Sequence, residues 1–204
     1  MSFGSGGLFS GLSVVICADE GEDLSWIAQI IATARPESNE VLVVVPADSD
    51  AIAMRPGIGS WENVRIVKQT GVGKSNALNE GLARAKNQFV IFLDSDIDLQ
   101  PGQLSTVLQM LQDGESFVSV GYGGHAPSLP VFGFCSGWFF GARRSTFIGL
   151  GGWASGYLED HETGKRILKS ENTIAVAGFV VRLRRPVRHA PLKFLSVLTS
   201  FGRK

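Results

Sequence analysis

Two groups of carboxylates and one lysine carry most of the chemistry that is legible in this chain. The first group is Leu93-Asp94-Ser95-Asp96-Ile97-Asp98, directly after the apolar run Phe89-Val-Ile-Phe-Leu93. Two aspartates one residue apart can turn toward a common point once a chain leaves a strand. There they offer hard oxygen ligands to Mg²⁺ or Mn²⁺, and such an ion gathers diphosphate oxygens in turn. The second group is Glu159-Asp160 beside His161, shortly after Gly151-Gly-Trp153. Adjacent carboxylates next to a histidine could supply a general base. They are equally the composition of an exposed first helical turn, where acidic residues meet the positive end of the helix dipole. The lysine is Lys74, in Gly71-Val-Gly-Lys-Ser75.

That last stretch imitates the end of a phosphate-binding loop of nucleotide hydrolases. Such a loop needs G-x-x-x-x-G-K-[ST], and the position of its first glycine is held here by Lys68. A dinucleotide fold needs a glycine fingerprint after its first strand, where this chain has Ala18-Asp-Glu-Gly-Glu22. What survives is a glycine turn leading into a helix, a place where an anion is welcome.

The elements that must position these groups are readable from hydrophobic periodicity. Leu12-Ser-Val-Val-Ile-Cys17, Val41-Leu-Val-Val-Val45, Val64-Arg-Ile-Val67 and Phe89–Leu93 read as buried strands. Leu24, Ile27, Ile31 and Ala34 recur at helical spacing until Pro36, and Ala77, Leu78, Leu82 and Ala85 stripe a helix over about 74–86. Strands alternating with helices argue for a parallel sheet with right-handed crossovers, whose ligands sit beyond the carboxyl ends of the strands. Pro101 opens a further helix with Leu104, Val107, Leu108 and Leu111 on one face. The pattern then loosens, with a strand over about 117–124, a Gly/Pro-rich loop and an aromatic segment at 131–140.

Composition sets the outer limits. A length of 204 residues suits one α/β domain, and the 19 basic and 19 acidic residues give no field that would draw nucleic acid. The two cysteines, Cys17 and Cys135, fall in apolar segments and read as small core residues. No apolar run reaches the ~18 residues of a membrane span.

In order along the chain, these pieces resemble family 2 glycosyltransferases. The resemblance rests on Ser13-Val-Val-Ile16, Gly73-Lys74 with Ala77-Leu-Asn79, and Phe92-Leu-Asp-Ser-Asp96. It continues through Gly137 to Arg144, Gly151-Gly-Trp153, and Glu159-Asp160 with Arg166, and it spans roughly residues 11–170. It implies an α/β chain of GT-A type, with a Rossmann-like, mostly parallel central sheet flanked by helices and a less regular acceptor-side second half. It also implies an inverting transfer from a nucleotide-diphosphate sugar to an acceptor hydroxyl, with Mn²⁺ or Mg²⁺ as cofactor. In such enzymes the aspartate pair binds the donor diphosphate through the metal, which implies Asp96 as metal ligand and Asp94 nearer the ribose and metal. The same resemblance puts the general base on Asp160, a supporting carboxylate on Glu159, and donor contacts on Lys74, Asn79 and Gly137.

The chain departs from the family in places. The second strand usually ends in paired aspartates, one of which reads the base; Val45-Pro-Ala47 stands there, which leaves Asp48 as the substitute. After Glu159-Asp160 come His161-Glu-Thr163. His161 and His189 are candidate metal or phosphate contacts, although a helix-surface position is the plainer reading of His161. No Q-x-x-R-W element of polymer synthases is present, which favours transfer of a single sugar.

The expected organisation is a flexible leader at 1–10, one domain over 11–190 and an amphipathic tail at 191–204. Within the domain, 11–100 forms the nucleotide-sugar-binding half and 101–190 the acceptor and catalytic half. The expected partners are a nucleotide-diphosphate sugar, a UDP-sugar in the first place, and a saccharide or lipid-linked hydroxyl acceptor, with no nucleic acid and no transmembrane segment. The expected location is cytoplasmic; the tail is expected in the first place to pack on the domain, with peripheral contact at the cytoplasmic membrane face as the other reading. Two other readings stand beside it: a sugar nucleotidyltransferase, and a non-catalytic nucleotide-sugar-binding protein.

Overall fold

The computed structural model describes residues 11–18, 24–49, 62–122, 135–156, 158–172 and 174–184. The leader, the tail, His189 and the loop around 123–134 lie outside them. In chain order the elements are β1 (Leu12–Cys17), α1 (Leu24–Ala34), β2 (Glu40–Val45), β3 (Val64–Lys68), α2 (Lys74–Arg84) and β4 (Phe89–Asp94). There follow β5 (Ile97–Asp98), α3 (Gln103–Gln112), β6 (Phe117–Tyr122), β7 (Phe139–Arg143), α4 (Arg144–Gly149), α5 (Glu159–Lys169) and β8 (Ala175–Leu183).

The strands form one sheet in the order β3-β2-β1-β4-β7-β6-β8-β5. The first four run parallel; β1, β2 and β4, apolar almost throughout, are buried on both faces, and β3, with Arg65 and Lys68, forms the edge. The pleat sorts their side chains. Val14, Ile16, Val41, Val43 and Ile91 pack with Ile27, Ile30 and Ile31 of α1 and Leu104, Val107 and Leu111 of α3. Val15, Leu42, Val44, Val90 and Phe92 face the other way, onto Ala77, Leu78 and Leu82 of α2 and Ile167 of α5.

At β4 the sheet changes character. Its other neighbour, β7, is antiparallel, and Asp94 N–H donates to Trp138 O at 2.9 Å, just beyond the β4–β7 ladder. The second half is mixed: β6 pairs antiparallel with β7 and parallel with β8, and β8 pairs antiparallel with β5. The long strand β8 matters for the site, because Arg184 at its end donates its N–H to Asp96 O at 2.7 Å. The Arg184 guanidinium also sits 3.5 Å from Asp98 and over the Trp26 ring of α1 at 5.9 Å. The turn between β4 and β5 is therefore held from both sides.

Helix α2 reaches β1 closely because Gly81 faces it. A Cβ at Gly81 would stand 2.3 Å from Val15 Cγ1, a stiff side chain buried in the sheet. Alanine at that position gains up to about 1 kcal/mol of helix propensity, against about 1–3 kcal/mol for overpacking a filled core. Gly81→Ala is expected to be a net loss of up to about 2 kcal/mol by urea denaturation, and a raised midpoint would refute this packing account.

Candidate active site

Lys74 is the first residue of α2, and its ammonium lies 2.6 Å from Asp94 Oδ1 and 2.8 Å from Oδ2. A cation at a helix N-terminus is opposed by the helix dipole. The carboxylate carried out on the end of β4 offsets that penalty. Burial works against the charged lysine, but the charge and hydrogen bond of Asp94, with help from Glu159, outweigh it and hold Lys74 well above the usual lysine value. The ammonium stays charged throughout the neutral range.

The acidic pair of α5 comes to the same place. Glu159 and Asp160 open the helix and are buried, with only 5% and 8% of their surface exposed. They are not the solvated helix start their composition also allowed. Asp160 Oδ1 accepts the N–H of His161 at 2.8 Å, and its carbonyl accepts Cys135 Sγ–H at 2.9 Å. The helix N-terminus makes this burial tolerable, since backbone donors and the dipole both favour an anion there. Gly137 shows how near the two charges lie. A Cβ added to it would stand 3.6 Å from Asp160 Oδ2 and 3.6 Å from Lys74 Nζ. Asp160 and Lys74 thus flank one buried glycine, and the missing side chain leaves that space open.

Asp96 is half-buried in the turn after β4, its carbonyl fixed by Arg184. Asp48 stands exposed in the turn after β2. Asn79 lies one and a half turns along α2 from Lys74, and its amide is engaged with the backbone of Trp153 at 2.9 Å in both directions. His161 corrects a reading: it is buried, with 1% exposure, and not on the helix surface. Burial first, and the charge of Lys165 second, lower its pKa below the ordinary 6.5, so it is neutral at neutral pH.

The cysteines lie with the core, as their apolar surroundings suggested. Cys135 is fully buried, and Cys17 is partly buried, packed on the core at the end of β1 beside the Lys74–Asp94 pair. Burial, against the opposing charge of Lys74 and with Asp94 adding to it, pushes the Cys17 thiol up to about 12, and burial raises Cys135 well above its ordinary value too. Neither is a thiolate nucleophile at neutral pH. Arg184 and the Asn79–Trp153 contact are the site-proximal features that periodicity did not indicate, since both depend on partners more than 70 residues away.

Among the described residues no three His, Cys, Asp or Glu side chains gather around a point that would enclose a metal. Mg²⁺ and Mn²⁺ do not require such a cage: they are commonly held by one or two carboxylates together with substrate phosphates. A half-buried Asp96 two residues beyond Asp94, at the carboxyl end of β4, fits that mode. A concavity of about 750 Å³ lies elsewhere, lined by Arg35, Asn39, Glu40, Asn63, Arg65 and Lys86 at the amino ends of the parallel strands. Its Glu40 is already satisfied by Arg65, Ser13 and the Lys86 N–H. It is remote from the carboxylates at the other end of the sheet.

The family profile described as Glycosyl transferase family 2 matches residues 27–189. The chain belongs to glycosyl transferase family 2. Among curated proteins no sequence matches it. Solved structures share its fold. One is a mannosyltransferase from Pyrobaculum calidifontis in complex with GDP-Man and Mn²⁺, with a TM-score of 0.72 and 19% identity; 87% of this chain and 57% of that one are covered. Another is glucosyl-3-phosphoglycerate synthase from Mycobacterium tuberculosis with Mn²⁺, UDP and phosphoglyceric acid. It matches with a TM-score of 0.71 and 22% identity, over 94% of this chain and 75% of that one. The Mg²⁺ and UDP complex of that synthase matches with a TM-score of 0.71 and 23% identity, over 92% and 74%. The family 2 chain described here therefore spans little more than half the length of the mannosyltransferase. These likenesses establish the α/β GT-A architecture, with the parallel half and the less regular second half in the order expected.

The neutral, buried His161 has a consequence for acid stability. An unfolded chain takes up a proton at this histidine below pH 6.5, whereas the folded chain resists it. Its contribution to stability is thus present above 6.5 and lost as pH falls below it. Urea midpoints for wild type and His161→Gln, measured from about pH 7.5 to about pH 5.5, should converge as pH falls. Parallel curves would show that His161 does not titrate in this way.

Proposed function

We propose that this chain transfers a single sugar from a nucleoside-diphosphate sugar to an acceptor hydroxyl, with inversion at the anomeric carbon and Asp160 as general base. The observation that carries the reading is the meeting of Asp160 and Lys74 across Gly137, at the carboxyl ends of the parallel strands. Inversion needs a base on one face of the sugar and charge stabilisation on the other. Two separately anchored groups, one on α5 and one on α2, provide that division.

In this reading the acceptor hydroxyl gives its proton to the Asp160 carboxylate as its oxygen attacks the anomeric carbon. Glu159, next to it, lies in the same buried helix start and supports the acceptor side. On the opposite face the departing diphosphate gains negative charge, which the Lys74 ammonium and the N-terminus of α2 stabilise. Asp96, with Asp94 beside it, would hold Mn²⁺ or Mg²⁺; when bound, that ion neutralises the leaving diphosphate without a proton transfer. The metal-bound complexes of the two fold relatives support this assignment. The donor classes worth testing first come from GDP-Man in the mannosyltransferase complex and UDP-glucose in a further Mn²⁺ complex of the synthase, with Asp48 as the candidate base-reading residue and a UDP-sugar as the favoured donor.

An acceptor carrying a free hydroxyl, saccharide or lipid-linked, completes the reaction. Among the described residues no helix is long and apolar enough to cross a membrane. A cytoplasmic setting, where nucleotide sugars are available, agrees with the reading. The tail 191–204, with Phe194, Leu198 and Phe201 beside Lys193, Arg203 and Lys204, suits peripheral contact with a membrane face.

Two substitutions test the division of labour. Asp160→Asn should cut sugar transfer by about 10²–10⁴-fold, the usual worth of a general base, while metal-dependent binding of the nucleoside diphosphate stays within a few-fold of wild type. Asp96→Ala should lose the Mn²⁺-dependent part of that binding. Calorimetry with UDP and GDP plus Mn²⁺, with release of nucleoside diphosphate as the turnover readout, reports both. Transfer surviving in Asp160→Asn would move the base elsewhere, and absence of metal-dependent binding to every nucleotide tried would overturn the reading.

A further inference from the structure

The Asn79 carboxamide is part of a connection between α2 and α5. Its Nδ2 donates to Trp153 O and its Oδ1 accepts the Trp153 N–H, both at 2.9 Å and across 74 residues of sequence. A side-chain amide thereby does what a neighbouring strand would do, satisfying both polar groups of one residue in a turn. The approach is close enough to restrict the residue before it. A Cβ at Gly152 would lie 2.5 Å from Asn79 Oδ1, and Gly152 has a φ of +65°.

The turn is gripped from its other side by α5. Ala154 N–H donates to Thr163 Oγ1 at 2.8 Å, and Arg166 Nη1 donates to Leu150 O at 2.9 Å and Gly152 O at 3.2 Å. The Trp153 ring packs edge-to-face on Phe92 of β4 at 5.3 Å, two residues before Asp94. One continuous path therefore runs from α2 through Asn79, the turn at 150–154, and Thr163 and Arg166, into α5. Lys74 stands at the start of α2 and Asp160 at the start of α5.

We infer that Asn79 is a positioning residue: through the Trp153 turn it fixes where the α5 carboxylate Asp160 stands relative to Lys74 on α2, and it is not a donor contact. This rests on the glycosyltransferase reading for its consequence in turnover, but the mechanical coupling exists independently of it. The geometry favours this role because each polar atom of the amide already has a partner in the turn. A displacement of about 1 Å between reacting groups is enough to cost about two orders of magnitude in rate.

The test pairs hydrogen exchange with binding and turnover, using the full chain. In Asn79→Ala, the Trp153 and Ala154 amides should exchange at least tenfold faster, and the faster exchange should spread into the first turn of α5. The Kd for UDP or GDP with Mn²⁺ should stay within threefold of wild type, while kcat with UDP-glucose or GDP-mannose falls tenfold or more. Thr163→Val cuts the same path at its other end and should give the same split, with the double variant little worse than either single one. Thr163→Val carries the test if Asn79→Ala does not fold.

A rise in Kd matching the loss of turnover would make Asn79 a donor contact and overturn the inference. So would faster exchange confined to 153–154 with kcat unchanged, which is the result for a merely local hydrogen bond. If the wild type turns over neither sugar nucleotide, the glycosyltransferase reading fails. The exchange measurement then still decides the coupling, since α5 amides indifferent to Asn79 and Thr163 would refute it.

Discussion

The contact between Lys74 and Asp94 is the point on which the candidate site depends. A lysine opening a helix is placed against the dipole, and an aspartate ending a central strand is placed where backbone support runs out. Together each relieves the other, at 2.6–2.8 Å. The pair also fixes the distance between α2 and the end of β4, and so the floor on which a diphosphate would rest. Because the pair stays partly open to solvent, its value lies in placement more than in stability.

The rest of the fold converges on that floor. The sheet switches from parallel to antiparallel at β4, so the segment before β7 runs back beside Asp94 and brings Gly137 over the pair. The sharp turn at Gly151–Gly152 redirects the chain so that α5 begins, not ends, at the same place. A helix start is the end of a helix that can bury two carboxylates side by side. Strand β8 returns to the far side and secures the Asp96 turn through Arg184. Three separate parts of the sequence thereby present their charged groups to one space.

Much of this was legible in the sequence, for a physical reason. The parallel strands are buried on both faces, so they are written as unbroken runs such as Val41–Val45 and Phe89–Leu93, and the aspartates after the last of these mark a strand end. Helix α2 announced itself by Ala77, Leu78 and Leu82. What escaped were elements whose stability comes from distant partners. β5 has two residues, and β8 mixes Ala175, Gly178 and Arg182 with its valines. Helix α3 itself was legible from Leu104, Val107 and Leu111, but its cap was not: the Glu37 carboxylate accepts the N–H groups of Gly102 and Ser105 from 65 and 68 residues away. The burial of His161 follows from how α5 packs, which its polar neighbours conceal.

The central claim is that a nucleoside diphosphate lies between Lys74 and Asp96 with its sugar directed past Gly137 toward Asp160. The most direct measurement is a crystal structure of the protein grown with UDP and Mn²⁺. The account predicts diphosphate density within contact distance of the Lys74 ammonium and the metal beside Asp96, at the carboxyl ends of the strands. Nucleotide found instead in the concavity lined by Arg35, Arg65 and Lys86 at the opposite ends of those strands would contradict it.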